Sequence, residues 1–132
     1  MTDEPSRHVL KRLKHEANAW LCTLRPDGSP HLTPIWFVYR PGTWWIGSSV
    51  RNRKIRNIEA DPRVSLALED GESPVVAEGT AVVHHDNFPP DIVAAFAEKY
   101  DGWDVLAEYP TGGARVLVEV TTTRWLLQGI AQ

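Results

Sequence analysis

Residues 48–58 hold the side chains of this chain that are best suited to chemistry. Two serines follow a strand-like run of apolar residues, and a dense group of cations comes directly after them: Arg51, Arg53, Lys54 and Arg56. The pattern predicts the opening of a helix. Free N–H groups at a helix start, hydroxyl donors and nearby cations together favour a bound phosphate. We therefore predict that this segment binds a phosphorylated ligand.

Lys54 is the leading candidate for the phosphate contact, and Arg53 and Asn57 follow from the same argument. Asn57 stands three residues after Lys54, nearly one helical turn, so both side chains are predicted to share one stripe of the helix, next to its core-facing side. Two alternatives stay open at this point. The cations can form a solvated helix face, and Ser48 and Ser49 can act as helix N-caps. Capping and phosphate binding are compatible, because each needs only one hydroxyl.

Composition narrows the class of protein. The chain has 132 residues and is predicted to be one domain over residues 1–132. Its net charge is −3, with 14 Lys and Arg against 17 Asp and Glu, which argues against a nucleic-acid partner. The single cysteine, Cys22, has no partner in the chain, which indicates a reducing, cytoplasmic setting. No apolar run is long enough to span a bilayer, so no membrane partner is expected.

Periodicity predicts a mainly β protein with two or three short helices. Apolar residues recur at helical spacing near residues 6–18, 50–60 and 90–100. Alternating or continuous apolar runs separated by turn residues predict strands between these helices, including one long strand over residues 31–39. Six antiparallel strands joined by hairpins favour a small closed barrel. Because such a barrel has a packed interior, a ligand must bind outside it or between two copies.

Four motifs occur in the order found in one known superfamily. Residues 20–37 resemble the first hairpin, and residues 54–65 the phosphate helix and fourth strand, of the flavin/deazaflavin split β-barrel oxidoreductases. This superfamily is named after pyridoxamine 5′-phosphate oxidase. Residues 76–81 resemble its fifth-strand signature, and Arg124–Trp125 its closing strand. The chain is most similar to the actinobacterial branch of probable coenzyme F-420-dependent enzymes, with FMN binders close by. The resemblance implies a six-stranded split β-barrel of the FMN-binding type.

The resemblance also implies where the cofactor lies. Thr33, Pro34, Ile35 and Trp36 would run along its flat ring, while Trp125 would reach the ring from the second subunit of a homodimer. An aromatic side chain suits one face of such a ring, and a hydroxyl suits its polar edge. The alternatives are ordinary strand packing for the first four residues and core or interface packing for Trp125.

The implied function is hydride transfer between coenzyme F-420 and a small organic substrate. FMN is the alternative cofactor, because it carries a phosphate at the same distance from its ring. A second alternative is a cofactor-binding protein without turnover. The sequence lacks the additional substrate-phosphate residues of true pyridoxamine 5′-phosphate oxidases. Oxidation of pyridoxamine 5′-phosphate is therefore not expected. No catalytic residue is predicted, since the hydride step itself needs no acid or base.

The sequence His84–His85–Asp86 is the one run that suggests a metal site. Adjacent residues of a strand point to opposite faces, so the two imidazoles do not readily share one ion. No second pair of ligands occurs at a suitable spacing elsewhere. We therefore expect no metal.

Overall fold

A computed structural model of the protein describes residues 4–131. These residues form three helices and seven strands. The helices are α1 (Arg7–His15), α2 (Arg53–Ala60) and α3 (Pro90–Lys99). The strands are β1 (Ala19–Leu24), β2 (Pro30–Ile35), β3 (Phe37–Arg40), β4 (Thr43–Ser49), β5 (Arg63–Leu68), β6 (Val75–His84) and β7 (Arg115–Gln128).

The seven strands form one antiparallel sheet in the order β2-β1-β5-β6-β7-β4-β3. The two edge strands, β2 and β3, are consecutive parts of one chain segment and are separated only by Trp36. The sheet therefore curls until its edges adjoin, which leaves few unpaired strand edges. This arrangement confirms the predicted split-barrel fold with short helices.

The predicted count of six strands is wrong, because the segment predicted as one strand over residues 31–39 divides at Trp36. Up to Ile35 this segment pairs with β1, and from Phe37 it pairs with β4. At the division the N–H of Phe37 donates to the hydroxyl of Tyr100 at 2.8 Å. A side chain from another part of the chain thus takes the place of a strand partner.

The second helix begins later than predicted. Strand β4 runs through Ser49, and the N-cap position of α2 is Asn52. The strand-like hydrogen bonding continues past β4, because the N–H of Val50 donates to Ala114 O at 3.0 Å and that of Arg51 to Gly112 O at 3.1 Å. Ser48 therefore does not cap the helix directly. It accepts a hydrogen bond of 2.7 Å from the side chain of Asn52 instead.

The barrel interior is filled by apolar side chains from every part of the sheet. The most deeply buried include Leu21, Phe37, Trp44, Ile46 and Leu66, each at most 1% exposed. A second apolar cluster lies outside the barrel, where α3 packs on β3, β4 and β7. Since both layers are packed, the fold leaves the barrel exterior for a ligand, as predicted. No helix within residues 4–131 is long and apolar enough to cross a membrane.

Candidate functional site

A cleft of about 500 Å³ lies outside the barrel, where β4 ends and α2 begins. One wall is the division between β2 and β3, and the opposite wall is the segment that leads from α3 into β7. Six of the ten residues predicted to bind the cofactor line this cleft: Pro34, Ile35, Trp36, Ser48, Ser49 and Lys54. The fold thus brings the predicted ring segment and the predicted phosphate segment to one place.

Two of the four remaining predicted residues, Arg53 and Trp125, lie outside the cleft. Arg53 is exposed on the first turn of α2 and is not part of the cleft wall. Trp125 packs within its own chain, with its ring centroid 6.0 Å from that of Tyr39 and 6.1 Å from that of Trp44. Its predicted role across a subunit boundary stays a prediction.

The other two, Thr33 and Asn57, do not line the cleft. Asn57 is 1% exposed, and its amide donates to the hydroxyl of Thr23 at 3.0 Å. Among residues 4–131, the buried polar atoms without a hydrogen-bond partner include Thr33 Oγ1, Asn57 Oδ1 and His31 Nδ1. Asn57 therefore faces the barrel interior, while Lys54, three residues earlier on the same helix, lines the cleft.

Lys54 is half-buried in the cleft and has no ion-pair partner among the described residues. Burial lowers the pKa of its ammonium group below the usual value, and repulsion from Arg115 acts in the same direction. A charged group held in this way is stabilised by an anion that enters the cleft. Lys54 therefore lies where an anion in the cleft would contact it, and its role in phosphate binding stays a prediction.

Arg115 is the main residue of the site that the sequence argument missed. It opens β7 and is only 7% exposed. Its guanidinium donates to Val105 O and to the hydroxyl of Ser49, each at 2.9 Å. In the sequence it is an isolated cation before an apolar strand. The one available signal was that a lone Arg at the start of a buried strand needs a polar environment.

Two glycines give the cleft its shape. A Cβ on Gly47 would collide with Val105, and a Cβ on Gly112 would lie 2.7 Å from Ser49 Oγ. The segment that covers the cleft therefore approaches β4 more closely than any larger residue at these positions would permit.

Aromatic rings form the wall next to the predicted ring segment. Trp36 is 44% exposed and faces Trp103 edge-on, with centroids 5.1 Å apart. Tyr109, which is 51% exposed, lies on the far side near Arg115, whose guanidinium carbon is 5.0 Å from the phenol centroid. The cleft is thus lined by aromatic rings and by the cations Lys54 and Arg115. This combination suits a planar ligand that carries an anionic group.

The two histidines considered for a metal site point apart. His84 Nε2 lies 2.8 Å from a carboxylate oxygen of Glu119, and His85 Nε2 lies 3.1 Å from one of Glu59. Within residues 4–131 no group of three or more metal-ligating side chains is close enough to hold an ion. Each histidine has a separate carboxylate partner.

The same fold occurs in solved structures of several kinds. A protein described as an F420 reductase is 25% identical, with a TM-score of 0.70 over 87% of this chain and 93% of that one. The conserved hypothetical protein Rv2991 from Mycobacterium tuberculosis is also 25% identical, with a TM-score of 0.71 over 93% and 85% of the two chains. HutZ, the heme storage protein from Vibrio cholerae, has a TM-score of 0.75 over 96% and 97%, but at 17% identity the likeness concerns the fold alone.

Sequence comparison identifies the family. A search of curated proteins gives no match. The profile of the family described as pyridoxamine 5′-phosphate oxidase matches residues 6–129, which is nearly the whole chain. The resemblance noted from the four motifs is confirmed by this match and by the split-barrel neighbours. The chain therefore belongs to the pyridoxamine 5′-phosphate oxidase family of flavin- and deazaflavin-binding split barrels.

Proposed function

We propose that this protein is an oxidoreductase that binds coenzyme F-420 in the cleft and transfers hydride between it and a small organic substrate. The observation that carries the proposal is the juxtaposition of Lys54, a half-buried cation without a carboxylate partner among residues 4–131, with the aromatic wall at Trp36. The structural likeness to an F420 reductase favours the deazaflavin over FMN.

The residues of the cleft fit a phosphorylated ring cofactor. Lys54 and the hydroxyl of Ser48 would hold the phosphate, while the backbone and side chains of Pro34, Ile35 and Trp36 would lie along the ring. Gly47 and Gly112 let the segment between α3 and β7 pack closely against β4, which builds the wall of the cleft. A deazaflavin supplies a carbon centre that donates or accepts a hydride when it is bound.

The contribution of the chain is orientation and exclusion of water. Trp36 is held by the rings of Tyr100 and Trp103, so its surface in the cleft is fixed before a ligand arrives. A preformed aromatic surface lowers the entropic cost of placing a ring at the correct distance from a second reactant. The segment at Tyr109 lines the cleft, and we propose that it limits the access of water to a hydride step there.

We also propose that two copies of the chain pair through the outer face of β1 and β2. Trp20 is 39% exposed there and Leu32 60%. The register places Trp20 opposite Pro34 and Cys22 opposite Leu32, so these side chains share one outward face. An exposed apolar sheet face of this kind is typical of a subunit interface. Light scattering should give a dimer at micromolar concentration, and Trp20→Lys should shift it to a monomer.

Titration of the purified protein with F-420 and with FMN tests the proposed cofactor. Fluorescence of each cofactor reports its dissociation constant, and riboflavin serves as the phosphate-free control for FMN. Tighter binding of F-420 supports the proposal. Tighter binding of FMN would mean that FMN, rather than F-420, is the cofactor, and the absence of binding of either would overturn the proposal. Turnover is tested with reduced F-420 and an artificial acceptor such as menadione. Acceleration of its oxidation by the protein indicates an enzyme, whereas tight binding without acceleration indicates a cofactor carrier.

A further inference from the structure

A second concave surface lies along the outer side of α3. This surface, which we call the α3 groove, has a volume of about 490 Å³ and is formed by α3 and by residues just before and after it. Asp104 is its one charged residue among residues 4–131, and the others are apolar, aromatic or glycine, including Phe88, Val93 and Leu106. The α3 groove and the candidate cleft have only Trp103 in common in the described part of the chain. It is therefore a separate surface.

Helix α3 is apolar on two sides. Ile92 and Phe96 point inward and are at most 3% exposed. Pro90, Ala94 and Ala97 recur at helical spacing on the side of the groove, where Pro90 and Ala94 are exposed. A surface helix normally carries polar residues on its outer side, and a helix that is apolar all round is normally buried. The outer side of α3 therefore has the composition of a surface that another molecule covers.

Negative charge is concentrated beside the α3 groove. Residues 86–114 contain six acidic residues and one basic residue, Lys99, which gives a formal charge of −5 in a chain of net charge −3. The ammonium of Lys99 is directed inward, since it donates to Leu13 O and Phe37 O. The six acidic side chains are exposed, lie within two residues of the groove lining or in it, and have no ion-pair partner among residues 4–131: Asp86, Asp91, Glu98, Asp101, Asp104 and Glu108.

This charge excludes several kinds of molecule as the cover of the groove. A second copy related by twofold symmetry would bring two such acidic surfaces together, and like charges across an interface repel. Nucleic acids and anionic lipid surfaces are repelled for the same reason. A partner with apolar side chains flanked by Lys or Arg would fill the groove and also neutralise the carboxylates beside it.

We propose that the α3 groove docks a basic amphipathic helix of a partner protein, with the apolar side of that helix in the groove and its cations beside the surrounding carboxylates. An amphipathic helix in an apolar groove is a recurring mode of recognition. Attraction between the cations and the carboxylates speeds association and makes it sensitive to salt. The proposal does not depend on the cofactor, because the groove and the cleft are separate surfaces.

A synthetic peptide of Leu and Lys, with Leu at helical spacing over roughly five turns, serves as the probe. In protein labelled with ¹⁵N, the peptide should shift the backbone resonances of Ala94, Ala97 and Leu106 and leave those of Trp20 and Leu32 in place. Its affinity should decrease as salt is added. The same peptide with Glu in place of Lys is the control and should not bind. Equal binding of the two peptides, shifts confined to other surfaces, or no shifts at all would overturn the proposal.

Substitutions on the protein test the groove itself. Ala94→Arg places a long cationic side chain in the groove, so affinity for the Lys peptide should fall by at least roughly tenfold. The fold should be kept, because Ala94 is exposed and Arg is a good helix former. Ala60→Arg, the same change at an exposed position of α2, is the matched control and should leave affinity within about twofold. Wild-type affinity in Ala94→Arg would contradict the proposal.

A smaller change tests the charge beside the groove. Asp104→Asn removes one negative charge but keeps an oxygen that accepts the N–H of Leu106, a hydrogen bond of 2.9 Å in the wild type. Affinity for the Lys peptide should fall by up to about fivefold, the range of one exposed ion pair. Light scattering tests the competing occupant. If Ala94→Arg dissociates an oligomer that Ala60→Arg leaves intact, a second copy covers the groove and the proposal is wrong.

Discussion

The indole of Trp36 and the phenol of Tyr100 are stacked, with their planes 2° apart and their centroids 4.5 Å apart. Tyr100 is itself fixed, since its hydroxyl accepts the N–H of Phe37 and lies 2.8 Å from Ala17 O. The residue that follows α3 therefore sets the orientation of an aromatic ring in the cleft wall. One face of Trp36 is covered by this stack, and only its other surfaces are available to a ligand.

Two substitutions at Tyr100 should separate the stack from the hydrogen bonds. Tyr100→Leu removes both, and we expect cofactor affinity to fall by up to about tenfold, the range of one aromatic pair. Tyr100→Phe keeps the ring, so affinity should stay near that of the wild type. Its free energy of unfolding should still fall by about 1–3 kcal/mol, because the N–H of Phe37 loses its acceptor. Urea unfolding and fluorescence titration measure the two effects. A Phe variant that binds as poorly as the Leu variant would show that the stack is not what orients the site.

The close approach at Gly112 provides a second prediction. In Gly112→Ala the added methyl would lie 2.7 Å from Ser49 Oγ and 2.8 Å from Ser49 Cβ. We expect the free energy of unfolding to fall by about 1–3 kcal/mol, as in other overpacked sites. Gly71→Ala is the matched control, because no heavy atom lies within 4 Å of its added Cβ. That variant should be neutral or slightly more stable. Equal urea midpoints for the two variants would contradict the packing at Ser49.

Much of the fold could be predicted because its signals are local. The helix over residues 90–100 was predicted from periodicity, and the structure has it at Pro90–Lys99. The division at Trp36 could not be predicted in the same way. It depends on the hydroxyl of Tyr100, which is 63 residues away from Phe37 in the chain. The late start of α2 has a similar cause, since distant carbonyls at Gly112 and Ala114 extend the strand-like pairing.

The residues of the candidate site also differ in whether their signals are local in the sequence. Lys54 and Ser48 line the cleft, and they could be predicted together because they are close in sequence near the start of a helix, which is a local arrangement. Arg115 was missed because its partner Ser49 is 66 residues away. Asn57 was predicted on the ligand side because spacing alone does not show which face of a helix packs inward. The partner that decides it, Thr23, comes from another strand.

The half-buried lysine of α3 should make stability depend on pH. Lys99 donates to Phe37 O at 2.9 Å and to Leu13 O at 3.2 Å, and burial lowers its pKa to about 8 from 10.5. Because the folded pKa is the lower one, the unfolded chain binds more protons between about pH 8 and pH 10.5. Stability from this group therefore rises with pH across that window and is constant below it.

Comparison with Lys99→Met isolates this contribution. Over the window the wild type should gain stability relative to the variant by at most about 3 kcal/mol, and by less because the ammonium is partly exposed to solvent. Urea unfolding of both proteins at several pH values from 7 to about 10 measures the difference. A difference that does not change with pH would mean that the pKa of Lys99 is ordinary in the folded protein.

Lys54 provides the most direct test of the phosphate site. Lys54→Ala should weaken F-420 or FMN by roughly tenfold to a hundredfold, since it removes a charge-assisted contact of about 1.5–3 kcal/mol. Lys54→Arg should bind better than the Ala variant without full recovery, because the guanidinium has a different reach. Arg56→Ala is the matched control, as Arg56 is exposed on the same helix. Urea unfolding should show that the folds of all three variants are intact.

The pH dependence of binding adds a second readout for the same residue. Burial and Arg115 hold the pKa of Lys54 below its usual value in the free protein, so its charge is lost at a lower pH than that of an exposed lysine. Affinity for the phosphate should therefore decrease as the pH rises toward this lowered pKa, and the decrease should be absent in Lys54→Ala. Riboflavin, which lacks the phosphate, should show no such dependence. If the Ala variant and the wild type bind FMN equally at neutral pH, Lys54 does not contact the phosphate, and the anion site would depend on Arg115 and the serines.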